Sequence, residues 1–346
     1  MTPEEALKRA AQEGIHTLRI PTPFMVGRVN CYLIEDEPLT LVDTGPNSGK
    51  ALDELEHQLA DHGHEIEDLE LVILTHQHID HIGLVEIIAA RSGADVAAID
   101  VAVPFLENFG EDAERDDEFA GRLMLSHGIS PDVVTALQSV SRSFRAWGAR
   151  PKVTRPLHDG ETLALRDRAL EVQHRPGHSP SDTLLWDADR RILFAADHLL
   201  AHISSNALIT RPLDGSDQRT QALVSYFESM RKTRELPAEI VLTGHGEPVT
   251  DHVALIDDRI ERSRRRAEKI HGLIAERPRT GHELAQALFG DVAVTQAFLT
   301  LSEVIGHVDL LINEGRAREV TENGVIRFEA IAVSARLNKG GGGGGI

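Results

Sequence analysis

The sequence predicts an α/β layered fold followed by a small, compositionally distinct unit, and three observations carry that reading. Before residue 258, short apolar runs alternate with helix-periodic segments, the pattern of strands and helices packed in layers. Charge then breaks along the chain. The 346 residues carry Lys+Arg 36 against Asp+Glu 55, a formal net charge of −19. Basic and acidic residues nonetheless balance within 259–332, so the acidic excess lies in 1–258. After 258 the periodicity also changes, to three helical segments and a hairpin.

In chain order, 30–35, 39–45, 69–76, 96–100, 191–197 and 239–246 are apolar runs that end in a turn or polar residue, and each predicts a strand. Residues 48–63 have the apolar spacing of a helix, with Asn47 or Ser48 as its N-cap. Residues 101–150 differ: an acidic cluster at 111–124 precedes helical spacing over 131–144, which predicts a helical insertion. Beyond the boundary, 261–276 is a long amphipathic helix broken at Pro278-Arg279. Thr280 with Glu283 forms a capping box for a second helix, and a third covers about 295–314. Residues 316–330 read as two strands joined at Asn323-Gly324, a type I′ turn signal. Three helices and a hairpin outline a winged-helix-like domain over 259–332. Residues 333–346 form a Gly-rich tail expected to be flexible.

Composition excludes several classes. A single cysteine, Cys31, rules out an intramolecular disulfide framework and fits a reducing compartment. The polar, acidic start is not a secretory signal, and no 18-residue apolar run predicts a membrane span. A cytoplasmic protein with no membrane partner is expected, and a homodimer is compatible with the sequence. The acidic balance argues against nucleic acid as a partner. Histidine occurs 18 times, which directs attention to metal.

The strongest motif is Thr75-His76-Gln77-His78-Ile79-Asp80-His81-Ile82-Gly83, directly after an apolar strand. His76 and His78 are two apart and share a side of an extended segment. Asp80 and His81 follow from the turn, so one segment can serve two neighbouring ions. Imidazole and carboxylate suit zinc, with manganese or iron as alternatives. His178 lies in a Pro-Gly turn, Asp197 ends the run 191–197, and His245 follows the strand at 239–243. Ligand-type residues at strand ends can converge on one rim of a sheet.

These residues resemble the metallo-β-lactamase superfamily, whose signature is HxHxDH followed by a later His, Asp and His. The match covers about residues 15–255. It implies a four-layer αββα sandwich. It assigns His76, His78 and His178 to one ion, Asp80, His81 and His245 to a second, and Asp197 to a bridge between them. Asp43 corresponds to the family's early strand-end Asp and would orient ligands. The chemistry implied is that of two zinc ions holding a hydroxide that attacks an acyl or phosphoryl centre, with Asp80 orienting the nucleophile or passing its proton to the leaving group.

The substrate is less defined, because the superfamily supports many activities. A small ester-like molecule (acyl thioester, ester or lactone) fits the acidic surface. A single-strand endoribonuclease is the alternative, with Arg262, Arg264, Arg265 and Arg266 contacting phosphates; otherwise these arginines pair with acids of the large domain. His198 and His202 are candidate substrate contacts. Phe105, Phe109, Phe119, Met124, Phe144 and Trp147 either line an apolar lid or form the core of the insertion's own helices. If the tail is only structural, removing 259–346 should spare hydrolysis of small esters.

Overall fold

The structure is a computed structural model that describes residues 1–212 and 218–331. The Gly-rich tail expected at 333–346 lies outside the described residues. Two mixed sheets face each other. The first runs β1 (Ile15–Ile20), β2 (Val29–Ile34), β3 (Thr40–Val42), β4 (Leu71–Leu74), β5 (Asp95–Ile99), β6 (Arg155–Leu157). Pairing is antiparallel through β1–β3 and parallel from β3 to β6. The second sheet holds β7 (Thr162–Ala164), β8 (Ala169–His174), β9 (Thr183–Asp187), β10 (Ile192–Ala196) and β11 (Ile240–Thr243) in the order β11-β10-β9-β8-β7, with only β10 and β11 parallel.

Helices cover both outer faces. Against the first sheet and at its edges lie α1 (Pro3–Gln12), α2 (Gly49–Asp61), α3 (Ile79–Ile82) and α4 (Val85–Ser92). The insertion supplies α5 (Val103–Glu107), α6 (Phe109–Ser126) and α7 (Pro131–Phe144). The second sheet is covered by α8 (Ala222–Arg234) and α9 (His252–Glu276). The helical remainder is α10 (Gly281–Phe289), α11 (Val292–Thr295) and α12 (Ala297–Asn313), with a small sheet of β12 (Arg279–Thr280), β13 (Ala317–Glu322) and β14 (Val325–Ala330). Among the described residues no helix is long and apolar enough to cross a membrane.

The layering follows from strand alternation. Ile192, Phe194, Leu185, Ile240 and Leu242 point between the sheets and join Tyr32, Val42 and Ile73 of the first. Their neighbours Leu193, Leu184, Trp186 and Val241 point outward and pack on Tyr226, Phe227, Met230 and Ile256 of α8 and α9. Strands covered on both faces need apolar side chains on both, which is why β4 and β10 read as unbroken apolar runs and β2 and β11 as nearly so. Ser48 caps α2, and the Thr280–Glu283 capping box opens α10. Asn323 and Gly324 both take positive φ, 51° and 79°, in the turn between β13 and β14.

Two expectations change. The charge break near 258 falls inside one continuous helix, α9, which begins at His252 with Asp251 as its N-cap. The insertion, in turn, has no core of its own. Leu123, Met124, Ile129 and Val134 of the α6–α7 region share one apolar cluster with Ile270, Leu284, Leu301, Ile305 and Phe328. Phe119 joins that cluster, while Phe105 and Phe109 pack into the main core. Phe109 and Met124 are therefore buried and Phe105 and Phe119 half-buried against these cores, while Phe144, 41% exposed, and Trp147 lie at the surface against Phe24. Salt bridges reinforce the joint, with Arg211 on Asp112 and Asp116, and Arg219 in a bidentate pair with Asp309 of α12 at 2.6 Å.

Truncation after residue 258 should therefore do more than remove an appendage. It exposes four core side chains of the insertion, worth on the order of 6–12 kcal/mol of lost burial, as much as a whole domain's stability. Limited proteolysis of the truncated chain should cut within 101–150, where the full chain resists.

His127 caps α6 at this joint, fully buried, and stacks on Phe328. Burial, then the charge of Arg219, push its imidazole down to about 3. The unfolded chain binds a proton there near pH 6.5 and the folded chain does not. Stability is therefore present above that pH and falls as pH drops toward 3, by up to ~1.4 kcal/mol per pH unit. In a His127→Gln chain, thermal unfolding between pH 7 and 5 should lose part of this acid sensitivity.

Candidate metal centre

The candidate ligands sit where strands end. β3 ends at Asp43, β4 at Thr75 and His76, β10 at Asp197 and β11 just before His245. His78 is the N-cap of α3, which carries Asp80 and His81. His178 lies in the turn between β8 and β9. Both sheets thus deliver side chains to one rim.

The ring atoms converge. His76 Nε2 and His178 Nε2 each lie 3.0 Å from His78 Nδ1. Three imidazole nitrogens tetrahedrally arranged on zinc, at ~2.0–2.1 Å each, would be about 3.3 Å apart. Asp80 Oδ2 lies 3.3 Å from His245 Nε2. The Asp197 carboxylate stands between the groups, 3.6 Å from His178 Nε2, 3.6 Å from His81 Nε2 and 3.5 Å from His245 Nε2. Three sets each have their donor atoms within 4.8 Å of one another: His76, His78 and His178; His76, His81 and Asp197; and Asp80, His81 and His245.

What lies behind the rings fixes their direction. His178 Nδ1 donates to Asn206 O at 3.0 Å, and His245 Nδ1 to Arg28 O at 2.9 Å. His81 Nδ1 donates to Asp43 Oδ2 at 2.7 Å. The Thr75 hydroxyl also reaches Asp43 Oδ2, at 2.7 Å. A carboxylate only accepts, so this hydroxyl spends its single proton there and must accept from His76 Nδ1 at 3.0 Å. In each of these four rings Nδ1 carries a proton, and Nε2 points inward.

The atoms so aimed lack partners. His81 Nε2, His245 Nε2 and Asp197 Oδ1 are buried without a hydrogen bond among the described residues. Buried polar atoms are ordinarily satisfied. Charge tells the same story, for Asp43, Asp80 and Asp197 are all buried. Burial opposes ionisation of Asp197, yet His245, His81 and His178 hold its carboxyl well below the usual range. Asp80 is likewise lowered against burial, by His81 and His245. Burial opposes protonation of His81, but Asp43 and then Asp197 and Asp80 draw its pKa well upward. Burial and neighbouring histidines push His78 down to about 3. The rim gathers imidazole nitrogens and buried carboxylates around one space, a donor set that fits divalent cations.

Backbone makes room for this. A Cβ on Gly244 would stand 2.1 Å from Asp197 Oδ1 and 2.9 Å from His81 Cε1, so only glycine fits there. Ala196, before Asp197, takes φ 42°, in the left-handed region.

The predicted site residues divide clearly. His76, His78, Asp80, His81, His178, Asp197 and His245 come together, with Asp43 behind them. His198 does not join them. It is buried, its Nε2 lies 3.0 Å from the Thr233 hydroxyl, and its ring packs edge-on against Tyr226 of α8. The expectation of a substrate contact there is corrected: residues 197 and 198 leave the strand on opposite sides. His202 is exposed. Of the four arginines, Arg262 and Arg265 pair along α9 with Asp258 and Glu261, and Arg266 pairs with Glu303 of α12. Sequence reasoning missed Thr75 as a relay and Asp182, which accepts the Ser179 amide and hydroxyl at 3.0 and 2.6 Å and braces the His178 turn. It also missed Arg259, a cation beside the apolar stripe of α9 whose placement was the available signal.

Comparison with known proteins agrees with this geometry. Residues 25–245 match the family profile described as Metallo-beta-lactamase superfamily. The chain is 32% identical over 319 residues to the probable metallo-hydrolase YqjP of Bacillus subtilis strain 168, covering 92% of this chain and 98% of that one. It is 34% identical over 130 residues to an acyl-coenzyme A thioesterase of Homo sapiens, covering 37% of this chain and 40% of that one. A metallo-beta-lactamase family protein from Thermus thermophilus superposes with a TM-score of 0.74 at 25% identity, over 92% of this chain and 99% of that chain.

Replacing Asp43 by Asn should keep the shape but remove the charge behind His81 and His76. Affinity for zinc should fall ~10–100-fold, read by competition with a chromophoric chelator. Unchanged affinity would remove Asp43 from this role.

Proposed function

The chain belongs to the metallo-β-lactamase superfamily as a metallo-hydrolase, and from that premise we propose that it hydrolyses small acyl thioesters with two zinc ions. The observation that carries the reading is the convergence of seven ligand-type side chains, with orphaned donor atoms facing one space. His76, His78 and His178 would hold one ion; Asp80, His81 and His245 the other; Asp197 would reach both. Bound divalent ions supply Lewis acidity, which brings the pKa of water toward ~7 and polarises an acyl carbonyl. The protein's own residues do the rest. Asp43 and Thr75 keep the proton of His81 and of His76 on Nδ1. Asp80, a carboxylate 3.3 Å from His245 Nε2 at the rim, can take a proton as water adds to the acyl carbon. The C–S bond then breaks, and that proton passes to the departing thiolate.

Two relatives support the thioester class. One is the human acyl-coenzyme A thioesterase described above. The other is a hydroxyacylglutathione hydrolase of Rhodospirillum rubrum, 30% identical over 152 residues, covering 43% of this chain and 54% of that one. Both are matched over only about half of their length or less. The nuclease alternative draws no support from the C-terminal region. The helix read there as the third, α12, is largely buried, and Arg262, Arg265 and Arg266 of α9 each pair with a carboxylate.

Purified chain should carry about two divalent ions, measurable by mass spectrometry of the metal. It should hydrolyse an acyl thioester in a chelator-sensitive way, ahead of a lactone, an aryl ester, a cephalosporin and a labelled single-stranded RNA. Asp80→Ala should lower kcat by ~10²–10⁴ while the fold, followed by circular dichroism, is retained. Turnover by metal-free protein, or RNA cleavage alone, would overturn the proposal.

A further inference from the structure

The loop after Asp197 has two faces. One touches the metal centre: Asp197 begins it, and the backbone oxygen of Asn206 accepts from His178. The other face, at His202 and its neighbours, lines a pocket of about 350 Å³. The facing wall is α9, which contributes Arg259, Arg262 and Arg266, with Asp258 and with Glu303 from α12.

Arg259 is the unusual member. It is 8% exposed. Its Nη2 donates to the backbone oxygens of Leu200 and Ile203. Its Nη1 has no partner, and no carboxylate lies within ion-pair distance among the described residues. A buried guanidinium is ordinarily paired with an anion. Asp258 is engaged by Arg262 at 2.7 Å, and Glu303 by Arg266. Three guanidinium groups therefore face two carboxylates, leaving a net positive pocket in a chain of charge −19. Planar forked donors approaching from several directions match the several oxygens of a phosphoryl group.

We propose that this pocket binds phosphoryl oxyanions and holds the phosphorylated end of a thioester's carrier group, an inference that rests on the thioester reading above. The chemistry is the same for a carrier phosphate and for free phosphate, so the test has separate arms. Wild-type, Arg262→Gln and Arg266→Gln chains are compared on one acyl group carried by coenzyme A and by N-acetylcysteamine, which has no phosphate. The ratio of kcat/KM for the two thioesters should fall about tenfold in each variant, the loss of one charged hydrogen bond, and the fall should lie in KM. The Arg262 side chain is 71% exposed, so its variant keeps the test valid if the Arg266 change disturbs folding. Calorimetry with inorganic pyrophosphate on the full chain reads the pocket without catalysis, and binding should weaken in both variants. Pyrophosphate binding that the variants lose, with an unchanged kinetic ratio, would overturn the carrier role. Absence of pyrophosphate binding to the wild type, with an unchanged ratio, would overturn the pocket itself. Pyrophosphate binding that depends on these arginines in a chain that hydrolyses no thioester would uphold the pocket and sink the thioester reading.

Discussion

The site depends on one buried carboxylate. Asp43 leaves the end of β3 at φ 59°, and its two oxygens accept from the Thr75 amide, the Thr75 hydroxyl and His81 Nδ1. It thereby ties the ends of two adjacent parallel strands and the helix that follows. One negative charge also sets the protonation of two rings, His81 directly and His76 through a hydroxyl. Each ring would otherwise choose between two tautomers and several rotamers. Holding four rings in register against that freedom is the work of Asp43, Thr75 and the backbone oxygens of Arg28 and Asn206 behind them.

The loop between Asp197 and Asn206 is the second structural constraint. It has little regular structure, yet its backbone is held from behind by named side chains. Ser205 donates to Asp197 O, Tyr226 to His198 O, and Arg259 to Leu200 and Ile203. These donors come from the loop itself and from α8 and α9. The C-terminal helices consequently act on the metal centre through this loop, and on the insertion through a shared apolar core. The chain beyond residue 258 is built into the hydrolase from two sides.

Much was legible in the sequence because the signals were local. Strands covered on both faces show as apolar runs; the capping box at Thr280 and the Asn323-Gly324 turn each need only neighbouring residues. The ligands at 76–81 were legible for the same reason, a dense cluster after a strand. His178, Asp197 and His245 became readable through resemblance, since singly each looks like a loop residue. In the two main sheets β1, β6, β7, β8 and β9 were missed; β6 and β7 are three residues long, too short to show a period, and β1 and β8 mix polar with apolar residues. The choice between a lid and a local core in the insertion was not legible, because amphipathic spacing reveals that a helix face is buried but not what buries it.

By itself, then, the sequence determined the layered α/β class, the family and the residue types that gather at the rim, because those rest on local periodicity and on a dense motif. Tertiary structure alone decided that His198 turns into α8 while Asp197 faces the centre, that Arg259 is a buried cation without a counter-charge among the described residues, and that Met124 is core with Phe119 packed against it. The physical reason is common to all three. Burial and pairing are set by contacts between segments up to a hundred or more residues apart, and no local pattern encodes which distant surface a side chain will meet.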